Sequence, residues 1–565
     1  YNESGNNDTT NLAADISGSG TLSQTGTRPL ILSGDNSLFT GEIVSEGKLY
    51  ADTTTALGTG AGATTLNTNA SLTGTSTPEL RIRGVTIANE TLNLNSNATG
   101  DLRTTLASDS ANASEWSGQI NLNGDGTIQI SANNSGLLTI SGDIAGPSFA
   151  GSLYIRGNGA AEITGNINMP TGNLAQVNAG TWTINSTGND WGNTTIFGNA
   201  TLANGIAGDA IPDDSPVTLY ANATLDISAH DETIGSLSTF TDVTDGHVVL
   251  GDKNLTVAGT GSSTTFVGDI SGSGSLIVTG RSLGLSGTNP AFTGEVRIDG
   301  GEVRYGGDVF GTAAAGIVLE NGGTLTSIAG GAIITINDNI RSDNSGGGNT
   351  IRRNFGSTLF TGEFTTDGGS TTIDVITGNR SMEFSNSISG TGGIDKTGSG
   401  TLIASGTASY AGDTLVSSGT LLISGALTAS NVTVASGAAI AGGGTLGGDL
   451  FVADGGLVDI TGGPLTVQAG ATVSFGSFDF DDISGLTVDA TTTDGIYTIL
   501  SGGFTLDPSN ISHYTEANKA TLAPGKFAWF ESGSLNLVVV PEPSAASLIG
   551  LIGFLGLLRR RRSPG

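Results

Sequence analysis

Self-similarity constrains this chain more than any other feature. Three segments nearly superimpose: ISGSGTLSQTGTRPLILSGDNSLFTGEI over 16–43, ISGSGSLIVTGRSLGLSGTNPAFTGEV over 270–296 and ISGTGGIDKTGSGTLIASGTASYAGDTL over 388–415. They run from Ile16 to Phe39, from Ile270 to Phe292 and from Ile388 to Tyr410 before closing on an aromatic, a small residue and Gly. The same ending recurs at Trp116-Ser117-Gly118, Phe149-Ala150-Gly151 and Phe360-Thr361-Gly362. A second unit follows some copies, as ALGTGAGATTLNTNASL (56–72), DAIPDDSPVTLYANATL (209–225) and VFGTAAAGIVLENGGTL (309–325). A unit this short cannot bury a hydrophobic face alone, so it must stack on its own copies.

Between the turns the pattern has period two, the strand period. In Glu295-Val296-Arg297-Ile298-Asp299 the charges take one face and the aliphatics the other, and Glu302-Val303-Arg304-Tyr305 repeats the arrangement. Glu79-Leu80-Arg81-Ile82-Arg83 and Thr472-Val473-Ser474-Phe475 do the same. The strands are short and bounded by Gly, Asn and Ser, and no amphipathic helix is read before residue 540. Propellers and sandwiches fit poorly. The chain has 91 glycines and only 5% aromatics, against an apolar share of 36%, which suits a narrow column of small aliphatics better than a thick core between sheets. A solenoid with coils of about 20–25 residues stacked at about 4.8 Å needs only such a column. Gly and Asn at its corners accept positive φ, and parallel crossovers favour right-handed winding. About 20 coils would make a rod on the order of 100 Å long. The expected fold is therefore all-β: a right-handed parallel β-helix over 1–475, a C-terminal β cap over 476–538, where FGSFDFDDISG and FAWFESGSLNLVVV change the texture, and a tail over 539–565 with a short hydrophobic C-terminal helix.

The repeats resemble the autotransporter-associated β-strand repeat. Gly400-Thr401-Leu402, followed by Tyr410-Ala411-Gly412-Asp413-Thr414-Leu415-Val416-Ser417-Ser418-Gly419-Thr420-Leu421, is the copy nearest that pattern; others place Glu after the Gly, at Glu42, Glu295 and Glu363. The resemblance covers most of the chain in degenerate copies. It implies a parallel β-helix outside a Gram-negative cell. The sequence shows no alternating strands that would form an outer-membrane barrel.

The tail has another texture. Val540-Pro541-Glu542-Pro543 is followed by the uncharged run Ala545 to Leu558 and then by Arg559, Arg560, Arg561 and Arg562. As a helix the run would be about 21 Å long, short for a bilayer core of about 30 Å. The arginines would hold the C-terminus in the cytoplasm and the body outside. This layout resembles the PEP-CTERM sorting signal, with Pro541, Glu542 and Pro543 as the motif and the four arginines as the basic stop. The resemblance implies an exosortase-type processing protease as partner, transient inner-membrane anchoring through the C-terminus, and export to the surface or to an extracellular polysaccharide or biofilm matrix. A permanent anchor is the other reading. An export leader is expected ahead of Tyr1.

Chemistry is sparse. The net charge is -30 and cysteine is absent. That excludes nucleic acid as a main partner, which needs a basic footprint, and excludes thiolate metal sites and disulfides. His230, His247 and His513 lie far apart without metal-ligand spacing. β-Helical lyases and hydrolases gather carboxylates and basic residues in one cleft; the basic candidates are Arg352-Arg353 and Arg81 with Arg83, expected on solvated faces or in a loop. Asn123-Gly124-Asp125-Gly126 and Asp479, Asp481 and Asp482 supply oxygen ligands without completing an EF-hand loop. Weak Ca2+ binding is left open there, and no cofactor or dedicated metal site is expected. The Asn-x-Ser/Thr sequons, as at Asn2, Asn7 and Asn69, reflect composition. The leading expectation is an exported structural or adhesive surface protein without intrinsic catalysis. The alternative is a polysaccharide-binding or polysaccharide-degrading β-helix. Its binding form predicts a row of exposed aromatics, for which Trp116, Trp182, Trp191 and Trp529 are the candidates, although most are expected to pack inward.

Overall fold

In the computed structural model the alternation of the sequence becomes an alternation of burial. Along Ser152–Gly157, Leu153, Ile155 and Gly157 point inward while Ser152, Tyr154 and Arg156 line the outside. The structure describes residues 9–68, 77–97, 103–240, 246–311, 316–328, 330–331, 333–531 and 534–541. The chain is an all-β parallel β-solenoid that divides into two compact units, residues 1–317 and 318–565. Helical structure among the described residues is limited to two 3-10 turns, Phe480–Asp482 and Glu516–Asn518. The C-terminal helix expected over the apolar tail lies outside the described residues.

In the first unit three parallel sheets share the coils. One sheet of 11 described strands runs from Thr10–Leu12 to Ser236–Thr239, one of 9 from Thr86–Ile87 to Asp269–Gly272, and one of 8 from Leu22–Gln24 to Asp190–Trp191. Pairing in register lines up one inward position through the stack: Leu30, Leu49, Leu80, Leu106, Ile130 and Ile155 follow one another from coil to coil. Gln176 then breaks the aliphatic column before Ile196 and Leu219 resume it. Contacts between neighbouring coils span 19 residues from Gly34 to Thr53 and 31 from Asp52 to Arg83, so loops are absorbed between strands without disturbing the column.

In the second unit three columns are likewise parallel: from Ile340–Asp343 to Gly495–Gly502, from Thr350–Arg353 to Thr505–Leu506, and from Ile333–Ile336 to Ile483–Ser484. Parallel pairing then gives way to antiparallel pairing. Gly495–Gly502 pairs with Leu535–Pro541, which pairs with Lys526–Glu531, which pairs with Ala520–Ala523.

The repeated motif has a packing cause. Its aromatic is buried in every copy, at Phe39, Trp116, Phe149, Phe292, Phe360 and Tyr410. The Gly two residues on sits against the coil below: a Cβ on Gly41 would overlap the Gly20 carbonyl oxygen, and one on Gly294 the Gly274 carbonyl oxygen. The same Cβ would also press on the ring of Phe39 or Phe292. The ring fills the corner, and only hydrogen fits between that ring and the neighbouring backbone.

A second device is an internal asparagine. Asn36, Asn189 and Asn289 are buried. Each accepts from the coil before, through Ile16 N at 2.7 Å, Ile167 N at 2.9 Å and Ile270 N at 2.7 Å. Each donates to the coil after, at Ala56 O (2.7 Å), Ala210 O (2.9 Å) and Val309 O (2.5 Å). An amide both accepts and donates without carrying charge, so it satisfies two buried backbone groups that strand pairing leaves open. In the second unit Asn349 plays a similar part, accepting from Gly322 N at 3.0 Å and donating to Leu319 O at 2.9 Å.

Candidate adhesive surface

The outward positions of the coils carry Thr, Ser, Asn and paired charges, and the stacking turns them into ladders. Asn95 Nδ2 donates to Asn67 Oδ1 at 2.7 Å and Asn123 Nδ2 to Asn95 Oδ1 at 2.8 Å. A second file runs beside it, with Asn121 Nδ2 donating to Asn93 Oδ1 at 2.8 Å. Thr218 with Ser238, and Thr466 with Ser501, make hydroxyl rungs at 3.0 and 2.9 Å. Such a surface offers amides and hydroxyls at the coil repeat of about 4.8 Å. It is suited to many shallow polar contacts.

Arg81 and Arg83 meet over Tyr50, and each is held in an ion pair. Arg81 contacts Glu79 at 2.9 Å and Asp109 at 2.7 Å, Arg83 pairs with Asp52, and both guanidinium groups lie over the Tyr50 ring. Arg352 pairs with Asp374 at 3.0 Å. Arg353, expected on a solvated face or in a loop, is instead fully buried at the end of strand Thr350–Arg353. The strand period explains it: Arg353 shares the inward face with Ile351, and Arg352 points the other way. His230, His247 and His513 are not brought together; His513 stacks on Phe480 and its Nδ1 lies 3.0 Å from Asn518 O.

Two of the oxygen-rich candidates, Asp479 and Asp482, are occupied with backbone. Asp479 accepts from Phe480 N at 2.6 Å while Asp482 accepts from Asp479 N at 2.8 Å, a reciprocal cap on the short 3-10 turn. Asn123 belongs to the amide ladder.

Trp116, Trp182 and Trp191 are buried and fill corners, with Trp182 Nε1 donating to Arg156 O and Trp191 Nε1 to Thr194 Oγ1. Trp529 is half-buried. The outer aromatic row is made by residues that sequence reasoning missed: Phe197, Tyr220 and Phe240 stack on successive coils with centroids 4.4 and 4.2 Å apart. Each follows the last residue of an aligned strand, Ile196, Leu219 or Thr239, and that offset is the signal that could have found them. Tyr220 spends both ring faces on its neighbours, while Phe240 at the end of the row is exposed.

Two buried polar groups complete the picture of the interior. Lys396 is fully buried and donates to the carbonyls of Thr397, Gly398 and Ser418 at 2.7, 2.8 and 3.0 Å; burial pulls its ammonium down to about 8. Glu90 is buried against Thr64, whose hydroxyl donates to it at 2.8 Å, and burial pushes its carboxyl up to about 7.

Of the tail residues singled out in the sequence, Pro541 ends the last described strand, Leu535–Pro541, and is exposed. Glu542, Pro543 and Arg559, Arg560, Arg561 and Arg562 lie outside the described residues. No helix among the described residues is long and apolar enough to cross a membrane.

No family model and no solved structure matches the chain. Among curated proteins, the Adhesin BmaC autotransporter of Brucella suis biovar 1 (strain 1330) is 29% identical over 252 residues, which cover 41% of this chain. The match takes up 7% of the length of that protein. This solenoid is thus similar, over part of its length, to a small part of an autotransporter adhesin.

Proposed function

We propose that the chain is an exported structural and adhesive surface protein, without catalysis of its own, delivered by its C-terminal sorting tail. The observation that carries this reading is the 252-residue similarity to an autotransporter adhesin in a chain whose coils are parallel and stacked. The ladders of amide and hydroxyl groups support it, because adhesion by a repetitive face sums many weak polar contacts. The non-catalytic part rests on Arg81, Arg83 and Arg352, which are each committed to a carboxylate. The tail, with Pro541, Glu542 and Pro543 before an apolar run and four arginines, supports processing by a membrane protease and transient anchoring in the inner membrane, with extracellular polysaccharide as the partner in the matrix.

The test pairs two measurements on the native protein. Beads coated with the purified chain should adhere to cells or matrix polysaccharide, and the same preparation should release no sugar ends from that polysaccharide. Polysaccharide turnover without adhesion would overturn the functional reading. Intact mass of protein from the envelope and medium should place the C-terminus near Pro543; a C-terminus at Gly565 in the membrane fraction would overturn the processing reading and leave a permanent anchor.

A further inference from the structure

Three neighbouring coils of the first unit bring two arginines to the outer face of one sheet. Arg103 opens strand Arg103–Ser108 and pairs in register with Thr127; Arg156 lies near the end of strand Ser152–Gly157 and pairs with Ser131. Gln129, in the coil between, stands two residues on from Thr127 and two before Ser131, so it marks the midpoint of the diagonal from Arg103 to Arg156. Strand alternation sends all three outward, opposite Ile128, Ile130 and Ile155. Among the described residues no carboxylate pairs with either guanidinium. Burial, with the charge of Arg103 added, pulls Arg156 below its ordinary value. Glu79, beside Thr105 in the file of Gln129, is held by Arg81 at 2.9 Å. Gln129 is only 5% exposed. Its Oε1 accepts from Arg156 Nη1 at 3.2 Å, and its buried Nε2 has no acceptor.

A chain of net charge -30 has carboxylates to spare for its arginines, yet here two like charges flank a buried N–H donor that nothing accepts. A buried donor left open is costly, and an acceptor carrying negative charge answers the amide and both guanidinium groups together. We propose that Arg103, Gln129 and Arg156 bind the carboxylate of an acidic polysaccharide, one uronate group per site. The choice of ligand rests on the matrix-polysaccharide reading above and deepens it. A carboxylate offers two oxygens and about four lone-pair positions, enough for one guanidinium on each side and the amide between them. The rest of the face suits a sugar chain. From Tyr154, paired with Gln129, the same outward file continues through Ala175, Thr195, Thr218 and Ser238. That file supplies hydroxyls, and the row of Phe197, Tyr220 and Phe240 runs beside it. Burial, with Tyr154 nearby, raises the Tyr220 phenol, which ties the arginine end of the face to the aromatic end. At physiological salt, repulsion from charges more than about 8 Å away is largely screened, so the overall negative charge does not exclude one locally paired carboxylate.

The experiment is calorimetric titration of the full chain at pH 7 and physiological salt with trigalacturonate, its methyl ester and sodium acetate. The expected result is one saturable event with trigalacturonate, at least tenfold weaker with the ester and absent with acetate at the same concentration. Arg103→Gln and Arg156→Gln should each weaken the event at least tenfold, while Arg304→Gln, in a later coil, should leave it unchanged. Gln129→Glu places a carboxylate of the chain itself between the two guanidinium groups, so it should abolish binding and raise the melting temperature of the free protein. That rise separates lost binding from lost folding. A parent without a saturable event, an ester that binds as well as the acid, acetate that binds as tightly as the trimer, or full affinity in Arg103→Gln and Arg156→Gln overturns the proposal. Beads that still adhere to matrix polysaccharide in that case leave the adhesive reading standing without this site. Uronate binding that depends on Arg103 and Arg156, in a chain whose beads do not adhere, keeps the site and removes the adhesive reading.

Discussion

Asn189 and Glu232 hold the same short turn from two sides: Asn189 Nδ2 donates to Ala210 O from the coil before, and Glu232 Oε1 accepts from Ile211 N from the coil after. Glu232 thus stands in the slot that Asn36, Asn189 and Asn289 fill elsewhere, with an oxygen where they carry an amide nitrogen. Several expectations come from that substitution and from the devices around it.

The asparagine slot should be expensive to empty. Asn289→Leu leaves Ile270 N–H and Val309 C=O buried without partners, at about 1–3 kcal/mol for each unsatisfied group before relaxation. A loss of about 2–4 kcal/mol is expected. Hydrogen exchange should show it as faster exchange confined to the coils holding Ile270 and Val309, because stacked coils couple to their neighbours.

Acid should favour the first unit. Glu232 and Glu90 titrate in the folded state at about 8 and about 7, above their ordinary value of 4.5. Between the ordinary and the folded values the folded chain binds more protons than the unfolded one, so these groups contribute full relative stability below about pH 4.5 and lose it as pH rises toward 8. In EDTA-containing buffer, thermal melts from pH 5 to 8 should fall less steeply for Glu90→Gln with Glu232→Gln than for the parent. Equal slopes would remove these two carboxyls from the account.

Lys396 answers three carbonyls that a neutral amide could largely answer, as Gln176 Nε2 does for Gly180 O and Thr201 O. Lys396→Gln should cost less than about 1 kcal/mol, since it removes a buried charge along with a donor. Lys396→Met leaves the carbonyls without a donor and should cost about 2–3 kcal/mol. Denaturant melts of the two variants decide it, and equal losses would contradict the assignment.

The motif glycine is set by coil spacing. Gly294→Ala drives a methyl into the Gly274 carbonyl and the Phe292 ring, whereas Gly306→Ala meets no atom within 4 Å. The first should lose about 1–3 kcal/mol or more and the second almost nothing. Similar melting temperatures for the two would show that the coils can move apart at the corner.

The solenoid was legible because its rules are local. Period-two burial, turns rich in Gly and Asn, and the aromatic–small–Gly ending can all be read within a few residues, and Phe39-Thr40-Gly41 packs as its copies do. What escaped depends on partners one coil away. The bracket made by Asn36 joins Ile16 to Ala56, and nothing near Asn36 in the sequence announces either end. The row of Phe197, Tyr220 and Phe240 was missed because coil length varies, so residues that stack are not evenly spaced. Glu232 was missed for a similar reason: its place in the asparagine slot appears only when Ile211 is seen beneath it. Arg353 was misplaced because a double arginine reads as a charged patch until strand alternation sends its two members to opposite faces.

The asparagine brackets also bear on how such a chain changes over generations. Each bracket asks only for a backbone N–H one coil back and a carbonyl one coil on, and every coil supplies both. Unequal recombination between segments encoding two coils would therefore create a junction that still satisfies its brackets. Gain or loss of whole coils is then the mutation this architecture tolerates best, and a solenoid of this kind can change its coil number without changing the rules by which any one coil folds.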